Sequence, residues 1–228
     1  MKNGILCIET ATKNCSVALF EDGHLVSCLE ESSAEYIHSE KLALFIDQVL
    51  SENNTAAKDL TAVAISSGPG SYTGLRIGVA TAKGICVGAG LPLIAIPNLF
   101  QLAVAARLKA PSFDMYIPML DARRMEVFTS VFNASLDILE ETYAKVIDED
   151  SFSDLDGKKI AIFGDGAEKC LETLNWLNVE LLEVQCSARN LGQIALTKLI
   201  EKKFEDLAYF EPFYLKDFIA GTPKKIFK

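Results

Sequence analysis

The sequence predicts an α/β fold of two similar lobes, each a mixed sheet flanked by helices. Three observations point to it. An Asp-Gly hairpin signal lies near the start, short apolar runs alternate with helical periodicity after it, and a weaker round of the same order begins beyond residue 110. Ile5 to Ile8 is a short apolar run, Ser16 to Phe20 alternates, and Leu25 to Leu29 follows Glu21-Asp22-Gly23, whose glycine accepts the positive φ of a tight reversal. Three antiparallel strands therefore open the chain. From His38 to about Ser51, Leu42, Phe45, Ile46, Val49 and Leu50 fall on one helix face, and Asn53-Asn54 ends that helix. Thr61 to Ser66 reads as a buried strand, Thr73 to about Val87 as a helix, Leu93 to Ile96 as a strand, and Pro97 starts a helix running to about Leu108.

Lys109-Ala110-Pro111-Ser112 marks a hinge, and the pattern restarts after it. Met115 to Leu120, Glu126 to Phe132, Ile138 to Ile147 and Ile160 to Phe163 supply strands, while Ala167 to Leu174 and Leu191 to Phe204 supply helices. The order βββαβαβα followed by βββαβα divides the chain into residues 1–109 and 110–228, the tail of the second unit packing back on the first. Two ribonuclease-H-like lobes joined by a hinge form the actin-like ATPase (ASKHA) type of architecture.

Composition bounds the function. With 228 residues, 50% hydrophobic and 23% charged, the chain can bury a sizeable core, and disorder or a small disulfide scaffold is excluded. Thirty-one acidic against 22 basic residues give a net charge of −9. Such a chain repels a phosphate backbone unless a local basic patch or a basic partner offsets the field. The apolar stretch Gly84 to Ile96 is broken by Pro92, too short for a membrane span, and Glu9 interrupts any signal-peptide core, so a cytoplasmic protein is expected. The six cysteines lack Cys-x-x-Cys spacing, and His24 and His38 are too far apart for a His-x-x-x-His metal pair, so no metal site is expected.

Ser66-Ser67-Gly68-Pro69-Gly70-Ser71-Tyr72-Thr73-Gly74-Leu75-Arg76-Ile77-Gly78 links a strand to a helix, where free N–H groups hold anions. It satisfies neither a P-loop nor a Rossmann spacing, and a plain turn capped by Ser71 stands beside the anion reading. The helix beyond it carries Gly74, Gly78, Ala80, Thr81, Ala82, Gly84 and Gly88. Each interior glycine costs about 1 kcal/mol relative to alanine, so close backbone approach, extending to a second helix from another molecule, is expected there. Glu9-Thr10-Ala11-Thr12 occupies the turn that in actin-like folds holds phosphate through Asp-x-Gly-x-Ser/Thr. Glu9 and Ala11 depart from that pattern, leaving a polar hairpin turn or a degraded phosphate site. Asp121-Ala122-Arg123-Arg124 and Phe163-Gly164-Asp165-Gly166 read as strand turns that either face a cleft or lie on the surface, and Glu211-Pro212-Phe213-Tyr214-Leu215-Lys216 reads as an aromatic tail packed on the body.

Together, Glu9-Thr10-Ala11-Thr12, the segment from Ser67 to Gly78, Lys83-Gly84, Asp121-Ala122-Arg123 and Pro212-Phe213-Tyr214-Leu215 resemble the bacterial TsaB, or YeaZ, family over nearly the whole chain. Tyr72 stands where that family commonly has Phe, and Lys216 where Arg usually closes the tail motif. The resemblance implies a non-catalytic subunit needed to form threonylcarbamoyladenosine at position 37 of tRNAs that read codons beginning with A. Its implied partners are the homologous catalytic subunit TsaD and the ATPase TsaE, with tRNA engaged indirectly, no intrinsic cofactor, and ATP or ADP only in the assembled complex. Family members pair through two helices of the first lobe, which places His38, Leu42, Phe45, Tyr72, Gly74, Leu75, Gly78 and Ala82 at the contact. Glu9, Thr10, Thr12, Asp121, Gly164 and Gly166 map onto a vestigial nucleotide cleft. Three other functions compete: an actin-like phosphotransferase, a glycoprotease, and a homodimeric module built by the same helix pair.

Overall fold

The structure, a computed structural model, describes residues 3–33, 37–174 and 178–216. In the first half, β1 (Gly4–Glu9), β2 (Asn14–Glu21) and β3 (His24–Ser32) are followed by α1 (His38–Glu52), β4 (Ala62–Ser66), α2 (Tyr72–Ala89), β5 (Leu93–Ile96) and α3 (Asn98–Lys109). The sheet order is β3-β2-β1-β4-β5, antiparallel on the β3 side and parallel on the β5 side. The reversal at Asp22-Gly23 has φ of 49° and 79°, as a two-residue hairpin loop requires. α2 starts where Ser71 Oγ accepts the Gly74 N–H and stops at Gly90, whose φ is 68°.

The second half holds β6 (Met115–Asp121), β7 (Glu126–Asn133), β8 (Ile138–Val146), β9 (Ile160–Phe163), β10 (Val179–Leu182) and α4 (Gly192–Ile200). Its order, β10-β9-β6-β7-β8, reproduces the first sheet strand for strand. Three details differ from expectation. Ala167 to Leu174 forms a 3₁₀ turn at Glu168–Cys170 and further turns: the Cys170 and Leu171 N–H groups bond three residues back, and Leu174 bonds four back to Cys170. β10, short and half-exposed, carries little periodicity and was not expected. α4 ends at Ile200 rather than Phe204, because Lys202 turns to φ 55° and the Lys203 N–H returns to the Lys198 carbonyl.

The helices do not respect a division at residues 109 and 110. Leu99, Leu102, Ala103 and Ala106 of α3 pack on Tyr116, Phe128, Phe132 and Phe163 of the second sheet. Leu191, Ile194 and Ala195 pack on Ile5, Cys7, Ala18, Ala62, Ala64 and Ile94 of the first. The other face of the first sheet, with Leu6, Ile8, Val17, Leu19, Val63 and Ile65, is covered by α1 and α2. Both faces of β1 are therefore buried, which explains its unbroken apolar run. Beyond α4 the chain crosses α2: Glu205 bridges to Leu93, the Phe210 carbonyl accepts from Lys83 Nζ at 3.0 Å, and the Phe213 N–H donates to the Ser67 carbonyl at 2.7 Å. Leu215 then packs with the second lobe's core, and Lys216 pairs with Glu126.

Candidate functional site

Three features of the first lobe meet at the turn between β1 and β2. Glu9 ends β1 with its carboxylate fully buried. Oε1 accepts the Ala11 N–H at 2.6 Å and the Ser66 hydroxyl at 2.9 Å; Oε2 accepts Asn98 Nδ2 at 3.1 Å and Gln101 Nε2. Burial raises its pKa, and these donors offset only part of the rise. Asn98 also accepts the Gly68 N–H at 2.7 Å, so the first turn of α3 is tied to β1 and to the loop before α2. Asn98 and Gln101 escaped the sequence reading, which took Ser66 only as the start of the loop before α2. Their signal was polar residues inside otherwise apolar runs, with Asn98 and Gln101 spaced three apart on one helix face.

The glycines of the loop and of α2 press on the same turn. A Cβ at Gly70 would lie 2.5 Å from the Ala11 carbonyl oxygen, one at Gly74 would strike the Thr10 carbonyl, and one at Gly78 would strike Thr10 Oγ1 and sit 3.1 Å from Ile65 Cδ1. The Ser71 N–H donates to the Ala11 carbonyl at 2.6 Å. His38, at the start of α1, donates Nε2–H to the Thr12 carbonyl at 2.8 Å, and burial lowers its pKa. A nucleotide phosphate does not fit here: the Ala11 N–H is already committed to a carboxylate, and glycine backbone closes the space over the turn.

The expected contact residues lie mostly in the interior of the first lobe. His38, Leu42, Gly74, Leu75, Gly78 and Ala82 are buried inside their own lobe, and only Phe45 and Tyr72 retain partial exposure, Tyr72 stacked 4.7 Å from Tyr214 of the tail. The small residues at the start of α2 serve internal packing; those farther along do not. Nothing lies within 4 Å of a Cβ placed on Gly84 or Gly88. With Arg76, Ala80 and Val87, which is 71% exposed, they form an outward stripe along α2, and α1 adds Leu44 at 63% exposure.

The expected cleft residues are likewise dispersed. A cleft of about 270 Å³ between the lobes is lined by Thr12, Lys13, Asn14, Ser32, Ser33, Asp165, Gln185 and Cys186. Of the six residues assigned to it, Thr12 alone reaches the lining; Glu9 and Thr10 are buried in the first lobe. Gly164, at φ 101°, and Gly166 let their turn pack against the Met119 and Leu120 backbone. Asp121 pairs with Lys169, and its N–H donates to Asp165 at 3.0 Å. Among the described residues, no three His, Cys, Asp or Glu side chains gather in a metal-binding group, and no helix is long and apolar enough to cross a membrane.

Residues 32–209 match the family model TsaD, tRNA N6-adenosine threonylcarbamoyltransferase. The tRNA threonylcarbamoyladenosine biosynthesis protein TsaB of Escherichia coli (strain K12) is 29% identical over 225 residues, covering 95% of this chain and 96% of that protein. TsaB of Haemophilus influenzae is 35% identical over 126 residues, 55% of this chain and 52% of that protein. The solved structure of YeaZ from Pseudomonas aeruginosa superposes with a TM-score of 0.79 at 21% identity, covering 93% of this chain and all of that one. The duplicated actin-like fold, the family match across most of the chain and the full-length similarity to TsaB agree: the chain belongs to the TsaD family, in its TsaB or YeaZ branch.

Proposed function

We propose that this chain is a non-catalytic subunit in the biosynthesis of tRNA threonylcarbamoyladenosine, and that it docks the outward face of α1 and α2 on the corresponding helices of a catalytic TsaD subunit. The observation that carries the reading is the split character of α2. Gly74 and Gly78 are used inside the lobe, whereas Gly84 and Gly88 leave bare backbone at the surface beside Val87 and Leu44. Small residues flanked by exposed apolar ones let a second pair of helices approach closely, giving a pseudo-symmetric four-helix contact. The sealed turn at Glu9 supports the same reading, because a chain whose phosphate turn is filled by its own carboxylate acts through its surface. TsaE joins the pair, ATP or ADP binds only in the assembled complex, and the work is done in the cytoplasm. When TsaD is absent, the same face forms a homodimer.

The test is threonylcarbamoyl transfer to unmodified tRNA in a reaction holding TsaD, TsaE, ATP and the threonylcarbamoyl-adenylate synthase, with this chain present or omitted. Activity is expected to depend on the chain, and Val87→Glu is expected to abolish both activity and heterodimer formation on gel filtration. Equal activity without the chain overturns the reading.

A further inference from the structure

The turn joining β6 and β7 presents two adjacent arginines in a backbone conformation that arginine disfavours. Arg123 has φ 73° and Arg124 φ 53°. Glycine, which has no Cβ, and asparagine, whose short amide bonds to the local backbone, adopt such angles readily, whereas other L side chains are strained there. The turn is closed by ordinary means: the Ala122 N–H donates to the Glu126 carbonyl at 3.1 Å, and the Glu126 N–H to the Arg123 carbonyl at 3.2 Å. Nothing in that closure asks for arginine.

The surrounding charges are already paired. Asp121 is held by Lys169, Glu126 by Lys216, and Asp165 accepts the Asp121 N–H. Among the described residues neither guanidinium forms an ion pair, and both residues are exposed. Asp121 and Glu126 are thus neutralised by lysines from distant segments, and two forked cations are left facing solvent on a chain of net charge −9. A chain so acidic tolerates RNA phosphates only where a local cationic point offsets the field. Planar guanidinium forks match phosphate oxygens two at a time.

We propose that the Arg123-Arg124 turn is a direct contact for the ribose-phosphate backbone of RNA, used when the chain sits in its tRNA-modifying assembly. The inference rests on the function proposed above. It adds that this subunit touches the tRNA itself, through the second lobe, away from the α1–α2 face.

Arg123→Asn/Arg124→Gly tests it, because this double variant removes the charges and also relieves the backbone. Its Tm is expected to rise by roughly 2–4 °C, so weakened binding cannot be blamed on misfolding. Heterodimer formation with TsaD, read by gel filtration, is expected to stay intact. The affinity of the assembled complex for unmodified tRNA should fall about tenfold at 50 mM salt, and the slope of log affinity against log salt should lose about one unit per arginine. Arg123→Lys/Arg124→Lys should keep most of that slope. Unchanged tRNA affinity and slope in the intact complex overturn the inference. Loss of the TsaD contact in the double variant also overturns it, by showing that the turn grips protein. Failure of the wild-type chain to bind TsaD sinks the underlying function instead.

Discussion

The turns that open the two lobes occupy equivalent places in the duplicated sheet and have opposite chemistry. The first, residues 10–13, lies beneath glycine backbone and has its neighbouring carboxylate enclosed. The second, residues 122–125, is open, and its neighbouring carboxylates are paired to lysines on the protein surface. Thr10 and Ala11 of the first are enclosed and support the lobe, leaving Thr12 and Lys13 on the cleft, while the second remains available to solvent. Duplication of a fold therefore does not preserve the use of its parts.

Three experiments probe that contrast. The largest effect is expected from Gly78→Leu, which drives a side chain into Thr10 and Ile65 and prises α2 from the closed turn. A loss of roughly 3–5 kcal/mol is expected, read in a denaturant titration; a variant as stable as the parent would show that the turn is not sealed by close packing. This also makes Gly78 a poor reporter of partner docking, since the lobe fails before the contact does. Glu9→Ala comes next. It strips the acceptor from Ala11 N–H, Ser66, Asn98 and Gln101 together, and about 2–3 kcal/mol should be lost. No loss would mean that water replaces the carboxylate at no penalty.

The smallest effect is in pH dependence. Burial raises the Glu9 pKa, so between the ordinary carboxylate value and the raised one the folded state holds a proton that the unfolded chain has released. Stability therefore declines as pH rises from the ordinary carboxylate range through the raised folded value, and Glu9→Gln should flatten that decline in Tm measured from pH 4 to 8. His38 acts in the other direction. Its lowered pKa makes stability fall as pH drops below the ordinary imidazole value of about 6.5, and His38→Gln should remove that component. Parallel Tm curves for the parent and both variants would count against buried titration at either site.

Much of the fold was legible because its signals are local. Asp22-Gly23 marked a reversal, the apolar spacing from Leu42 to Leu50 marked a helix face, and Ser71 marked a cap. What escaped was set by tertiary context. No periodicity within α3 says that Leu99 and Leu102 will cover the second sheet, nor does the pattern of α4 assign it to the first. The site was legible in part. Small residues along α2 announced close approach, but each glycine looks alike in a sequence. Only the position of Thr10 separates Gly74 and Gly78, which serve the interior, from Gly84 and Gly88, which reach the surface. Glu9 looked like a substituted phosphate ligand because its side-chain donors lie 57 to 92 residues away.

The exchange of α3 and α4 between the sheets also bears on synthesis. As the chain leaves the ribosome, all five strands of the first sheet precede the helix that will cover Ile5, Cys7, Ala62, Ala64 and Ile94. About a hundred residues separate β5 from α4, so at usual translation speeds Phe100 and Val104 of α3 give that apolar face only partial cover for about 5–20 s. Arrest anywhere in the second lobe would leave a half-clad sheet prone to aggregation.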